Sequence, residues 1–309
     1  MTTANTTQVP GRPLRRSHGE TWRSPHRLRA IRTVTGQFLL YLTLVIGSIV
    51  ILFPFYWMVS TSVKPPDEVV TLPITWIPSR ILWSNYPKAI NALPVSVLVF
   101  VKNSVVLSTL VAIGHTFTSA LVAYPFARLR FRGRRTLFLI ILATMMIPGQ
   151  ITMIPLFIIF SRLHWVNTFL PLVVPAYFGD AYYIFLLRQF FATIPKEMDD
   201  AAKIDGCSVY AIFFRMILPM STPALGITAI FSFSGMWNAF LGPMIYLNQM
   251  EKFPLALGLR AFQAGPGSRA IHWESMMAIS VLMTIPMLVL FFITQRNYIQ
   301  GIVITGVKG

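Results

Sequence analysis

Long apolar runs separated by short polar connectors dominate the 309-residue chain. Six of them, at 38–60, 103–126, 137–160, 168–187, 223–247 and 277–294, approach the ~20 residues needed to cross hydrocarbon as a helix. Each predicts a helix, because a backbone facing lipid must satisfy its own hydrogen bonds. The period-two alternation of a membrane barrel is absent. The pattern predicts an all-α integral membrane protein with six transmembrane helices: a polar, basic tail over 1–36, a membrane domain over 37–300 and a short tail over 301–309.

Charge supplies the orientation, since Lys and Arg concentrate on the cytosolic side of membrane spans. The N-terminal tail carries seven, the connector after the second run five (Arg128, Arg130, Arg132, Arg134, Arg135), the connector after the fourth run four, and the stretch after the sixth run two (Arg296, Lys308). Eighteen basic residues fall on that side and eight on the other. Both termini, and the connector over 194–219, are thereby assigned to the cytosol. The first apolar run arrives too late and is too long for a cleaved signal peptide.

Composition narrows the function. The chain is 55% hydrophobic and 12% charged, against roughly 25% charged in soluble domains. A net charge of +16 invites a nucleic-acid reading, but the basic residues flank the spans and the aromatics are mostly Phe inside them, so no nucleic-acid partner is expected. Cys207 is the single cysteine, which excludes an intrachain disulfide and a CxxC site. No Walker A, HExxH or GxSxG pattern and no His/Cys cluster occurs, so no catalytic residue and no metal site is expected, and ATP hydrolysis needs another polypeptide.

The most informative connector is IPKEMDDAAKIDGCSVYAIFFRMILP, 194–219. It reads as two short helices joined at a glycine. Pro195 suits a first helical position, and Glu197, Asp199 and Asp200 suit the positive end of the helix dipole. Gly206 suits the left-handed residue after a helix end. A second apolar segment runs from Val209 until Pro219 ends it. Ala201 and Ala202 leave a surface that another backbone can approach closely.

This spacing resembles the EAA loop of ABC-importer permeases: Asp200-Ala201-Ala202, three residues, Gly206, nine residues, then Met216-Ile217-Leu218-Pro219. Asp replaces the family's Glu and Met216 its Ile. Further pieces continue in family order, among them Phe53-Pro54-Phe55-Tyr56-Trp57-Met58, Ala123-Tyr124 with Arg128-Leu129-Arg130-Phe131-Arg132-Gly133, Trp237-Asn238 and the terminal Gly306-Val307-Lys308-Gly309. From about Leu52 onward the chain is similar to the carbohydrate-uptake, MalG-like branch.

The resemblance implies a type I, MetI-like permease fold with cytosolic EAA coupling helices, in the multi-pass plasma (inner) membrane of a bacterium or archaeon. It implies a sugar or oligosaccharide substrate, a second, MalF-like permease, a cytosolic ATPase dimer and an extracytoplasmic solute-binding protein. ATP and Mg would belong to the ATPase, with no cofactor on this chain. Glu197, Asp200, Ala201, Ala202, Asp205, Gly206 and Pro219 become the ATPase-coupling residues, with Gly306, Lys308 and Gly309 as a tail contact. Membrane lipid is a further expected partner.

Three residues are candidates for the translocation pathway. Asp180 is the only acid within a span, and an intramembrane carboxylate normally faces the bundle interior or a cavity. It follows the breaks Pro171, Pro175 and Gly179, as Pro148-Gly149 and Pro155 break the third run. Trp237 and Asn238 suit stacking on and hydrogen bonding to a sugar, or packing between permeases. His115 reads as a packed or hydrogen-bonded histidine. A secondary transporter would need more intramembrane carboxylates than Asp180, and a channel or scaffold has no use for the EAA spacing.

Overall fold

The structure is a computed structural model, described over residues 25–263 and 272–306, with side chains described over 36–263 and 272–295. Arg12, Arg15, Arg16, Arg23, Lys308 and Gly309 lie outside the described residues. The described residues are helical, without strands. The chain divides into two units, 1–54 and 55–309. Helix α1, Pro25–Ser62, is shared between them and opens inside the segment read from sequence as a polar tail.

In the second unit, α2 (Asn85–Ile90) lies in the first outer connector and α3 (Val97–Arg128) is the longest candidate span of the described residues. Then follow α4 (Arg134–Thr144), α5 (Gly149–Arg162), α6 (Leu170–Val173) and α7 (Ala181–Thr193). The loop region contributes α8 (Lys196–Ile204), α9 (Val209–Ile212) and α10 (Leu218–Met220). The chain closes with α11 (Thr222–Trp237), α12 (Leu241–Tyr246), α13 (Leu255–Ala261) and α14 (Trp273–Gly306).

Among the described residues four helices are long and apolar enough to cross a membrane, and six spans result if each of two bent pairs counts as one. One pair is α4 with α5, bent by 92°, at a break where Pro148 disfavours a helical conformation for Ile147 before it. The fourth run is also interrupted: a 3-10 segment, Val174–Phe178, precedes Gly179, and α7 starts afresh. The fifth run ends at Trp237 and restarts as α12, where the sequence pattern continued to 247. The sixth outlasts its prediction, since α14 stays helical through Gly306.

Helix α3 is the centre, packed against α7 and α11. Its buried positions include Ser104, Ser108, Ala112, Ser119, Ala120, Ala123 and Ala127, small residues that let helix backbones approach in a membrane. Gly114 shows how close that approach is: a Cβ there would lie 2.9 Å from the Tyr177 ring and 3.1 Å from the Ala176 carbonyl oxygen.

The first outer connector is ordered, as its aromatic and proline content suggests. Asn85 Nδ2 donates to the Ser62 and Lys64 carbonyls at 3.0 and 2.9 Å. Lys64, buried, donates to the Thr75 carbonyl and stands 4.0 Å over the Trp57 ring; desolvation holds its pKa below the usual lysine value against the raising effect of Glu68. Glu68 accepts from the Ser79 hydroxyl and backbone N–H, which holds its carboxyl below the ordinary range. The second connector is pinned to α3. Asn103 Nδ2 donates to the Glu251 and Phe253 carbonyls at 2.8 and 3.0 Å, and Leu255 N–H donates to Ser104 Oγ at 2.7 Å.

Candidate coupling site

The connector 194–219 folds as the two joined helices that its sequence predicts, with adjustments at both ends. Pro195 takes the N-cap position, one residue before α8. Gly206 has φ +81°. Its N–H donates to the Lys203 carbonyl at 3.0 Å and the Cys207 N–H to the Ala202 carbonyl at 2.9 Å, the two bonds that define a Schellman helix end. Ser208 Oγ then accepts from Ala211 N–H at 3.2 Å and opens α9.

Pro219 does not end the second helix. The segment Phe213–Ile217 is π-helical and leads into α10, which contains Pro219. A π turn widens the backbone by one residue, which relieves the clash and missing donor that proline imposes. The break falls at Ser221, where the chain turns by 76° into α11. Ser221 Oγ donates to the Ile217 carbonyl at 2.7 Å.

Helix α8 has two faces. Glu197, Asp200, Ala201 and Ile204 are exposed, as are Asp205 and Gly206 beyond it. Ile204 is 87% and Tyr210 76% exposed, an apolar tip on a polar loop. Asp200 is held below the ordinary carboxylate range by its hydrogen bond and charge contact with Lys203. Asp199 and Ala202 face inward and are buried. Ala202 joins a core with Ala120, Ala123, Tyr124, Ala127, Ile212, Phe213 and Ile217.

The inward face is gripped by Arg128, the last residue of α3. Its Nε donates to Asp199 Oδ2 at 2.8 Å and its Nη2 to Oδ1 at 2.7 Å. The remaining donors reach the Ile194, Pro195 and Phe191 carbonyls at 2.6, 2.9 and 3.3 Å. Those carbonyls belong to the end of α7 and the turn into α8, where helix ends leave acceptors unpaired. The Arg128 and Asp199 side chains are 1% and 9% exposed. Sequence reasoning counted Arg128 as a topology charge within a family-like stretch and Asp199 as one of several acids at a helix start, without pairing them. The available signal was periodicity: 197, 200, 201 and 204 share one helical stripe, whereas 199 and 202, three apart, share another.

The pathway candidates are dispersed. Asp180 is the N-cap of α7, its Oδ1 accepting from Tyr182 and Tyr183 N–H at 2.9 and 3.2 Å, while its own N–H donates to Ser119 Oγ at 3.2 Å. Trp237 is fully buried; its Nε1 donates to the Met283 carbonyl at 3.2 Å and its ring stacks on Phe233. No face of the Trp237 ring is open, and in this structure the side chain packs between helices. Asn238 is exposed at the end of α11 and donates to the Ser234 carbonyl at 2.9 Å. His115 bonds Ser232 Oγ at 2.8 Å and meets the Tyr183 ring at 5.3 Å between centroids, the hydrogen-bonded histidine expected from sequence. Among the described residues no group of three potential ligands is placed to hold a metal.

The sequence profile of the family described as "Binding-protein-dependent transport system inner membrane component" matches residues 115–304. The arabinooligosaccharides transport system permease protein AraQ of Halalkalibacterium halodurans is 34% identical over 259 residues, 83% of this chain and 91% of that protein. The trehalose/maltose transport system permease protein MalG of Thermococcus litoralis is 30% identical over 278 residues, 89% of this chain and 98% of that protein. A chain from the crystal structure of a bacterial ABC transporter involved in the import of the acidic polysaccharide alginate shares the fold: TM-score 0.72, 22% identity, 87% of this chain and 97% of that one. A permease of such an importer works with a second permease, a separate ATPase chain and a binding protein. The chain therefore belongs to the family of binding-protein-dependent transport system inner membrane components, as a non-catalytic, multi-pass permease subunit of an ABC importer.

Proposed function

We propose that this permease forms half of a heterodimeric pathway for a sugar or oligosaccharide, and that the 194–219 loop receives the motion of a cytosolic ATPase dimer. The observation that carries this reading is the two-faced α8. A coupling lever needs a rigid grip on the part it moves and a free face toward the part that moves it. Arg128 with Asp199 and Ala202 supplies the grip. Glu197, Asp200, Ala201, Asp205 and Gly206, with Ile204 and Tyr210, supply the free face. Pro219 lies where α10 hands the load to α11 across Ser221.

In this reading ATP and Mg bind the ATPase chain, and Gly306, Lys308 and Gly309 form a second contact to it. The partner permease is MalF-like, and the outer connectors face the solute-binding protein. Rocking of helical bundles about a membrane-buried site gives alternating access. Asp180 and Asn238 remain pathway candidates, joined by His115, Tyr183 and Ser232. The substrate class is supported by the relatives, named for arabinooligosaccharides and for trehalose/maltose. The test is reconstitution with the two permeases, the ATPase and the binding protein, followed by uptake of labelled arabino- and malto-oligosaccharides. ATP-dependent uptake of at least one is expected. Uptake driven by an ion gradient without the ATPase would overturn the proposal.

A further inference from the structure

The arginine-rich connector also shapes a cavity that the coupling loop does not use. It has a volume of about 750 Å³ and is lined by Phe131, Gly133, Arg134, Arg135, Thr136, Phe138, Leu139, Leu142 and Arg188. Its cations have no acidic partner: the ion pairs of the described residues are Arg128–Asp199, Lys203–Asp200 and His272–Glu274. Arg134 is steadied by donation to the Leu129 carbonyl at 2.9 Å. Arg188 is steadied by donation to the Phe126 carbonyl at 3.1 Å and by stacking 4.1 Å over the Phe138 ring. Neutral carbonyls and a ring hold these guanidinium groups in place without cancelling their charge.

Beyond the arginines and Thr136, the wall continues along α4 as Phe138, Leu139 and Leu142. Arg135, Phe138, Leu139 and Leu142 follow at i, i+3, i+4 and i+7, so they share one face of α4. That face passes from charge to hydrocarbon over about 10 Å of helix axis. The α4–α5 pair is one of the candidate spans, and its arginine end lies on the positively charged, cytosolic side. The cavity is cationic at headgroup depth and apolar at acyl-chain depth. The uncapped first turn of α4, with Gly133 as its N-cap, adds a favourable dipole end.

We propose that this cavity is a binding site for an anionic phospholipid, with the phosphodiester against Arg134, Arg135 and Arg188 and an acyl chain along Phe138, Leu139 and Leu142. A small anion has no use for the apolar wall, and a zwitterionic lipid gains less from three unpaired cations. Basic pockets between spans on the cytosolic side are the expected seat of acidic headgroups.

The test is native mass spectrometry of the complete transporter complex, equilibrated with equal phosphatidylglycerol and phosphatidylcholine. The wild type is expected to retain phosphatidylglycerol selectively, and the Arg134→Gln/Arg135→Gln variant to retain on the order of tenfold less. Arg130→Gln/Arg132→Gln removes equal charge from the same connector outside the cavity and is expected to retain the wild-type amount. Equal loss in both variants would mean diffuse attraction and overturn the site. So would displacement by millimolar inorganic phosphate, which would assign a simple anion site, or an unselective wild type, as when another subunit covers the cavity. Photo-crosslinking of wild type with diazirine-acyl phosphatidylglycerol does not depend on variant folding. Labelling concentrated in 134–144 is expected, and labelling spread evenly over the spans would refute the proposal.

Discussion

Replacing Arg128 by alanine tests the grip directly. The substitution removes five hydrogen bonds, two to Asp199 and three to the Phe191, Ile194 and Pro195 carbonyls. With both side chains this buried, the surface value of an ion pair does not apply. Breaking a buried pair on one side costs about 3–5 kcal/mol, chiefly because the remaining charge is stranded. The stranded Asp199 sits at the cytosolic edge, so its relief is to swing α8 into water. The spans themselves lose little, and the cost should therefore appear as local opening of the loop. At 1.36 kcal/mol per decade, that opening rises by roughly 10² to 10⁴. The assay is hydrogen exchange across 194–208 in the assembled complex, alongside transport and ATPase activity. Arg128→Ala is expected to exchange fast in that segment, with near-normal exchange in α3, and to hydrolyse ATP without uptake. The double variant Arg128→Leu/Asp199→Leu strands no charge and should recover most of the protection. Wild-type exchange in Arg128→Ala, or a double variant no better than the single, would refute the stranded-charge argument.

Gly206→Val should insert normally and lose transport. A Cβ there meets nothing within 4 Å, so its roughly 1–2 kcal/mol cost is local backbone strain at the coupling turn, and wild-type uptake at normal expression would contradict it. Asp180→Ala should cost about 1 kcal/mol through loss of the α7 cap, whereas Asp180→Asn, which also caps, should be milder in both stability and uptake. Equal effects would show that the charge matters beyond capping. Deleting 301–309 should leave insertion intact and change ATPase assembly or its regulation, with identical hydrolysis rates and complex yield counting against the tail contact. With Cys207 replaced by Ser, a single Cys at 238 should react with a water-soluble thiol reagent in at least one of the resting and ATP-trapped states; silence in both would remove Asn238 from the aqueous pathway.

The spans and the loop were legible because each leaves a local mark. Apolar length marks a span, and Gly206 marks a helix end by its own conformational freedom. The interruptions were only half legible. Pro148 and Pro175 announced breaks, but Asn238 gave no comparable signal, and the fifth run looked continuous because hydropathy measures distance from water and ignores helix direction. Pro219 misled for the opposite reason: a π turn is invisible in composition, and it let the helix pass the proline. Trp237 was ambiguous because an apolar aromatic reads alike against a sugar, a lipid or a neighbouring helix; the structure packs it against Phe233 and Met283. The Arg128–Asp199 pair joins positions 71 residues apart, and Arg128 was hidden among other arginines on the cytosolic side.

The contrast between broken and unbroken spans gives α3 a mechanical meaning. The third, fourth and fifth runs are all interrupted, whereas α3 runs without a break from Val97 to Arg128. Its cytosolic end holds the loop through Arg128. Its middle holds His115 against Ser232 and Ser119 against Asp180. Its outer end holds the second outer connector through Asn103 and Ser104. Asn103 and Arg128 are separated by about 38 Å of helix axis at 1.5 Å per residue. A continuous helix of that length transmits displacement along its axis, while interrupted helices absorb displacement at their breaks. In the proposed coupling, a push on α8 is carried to the outer connector along α3, and the yielding is left to the breaks at 145–148, 179–180 and 238–240. Coupling of this kind needs no chain of small side-chain shifts. It needs one stiff element gripped at both ends, and the Arg128 clamp is the cytosolic grip.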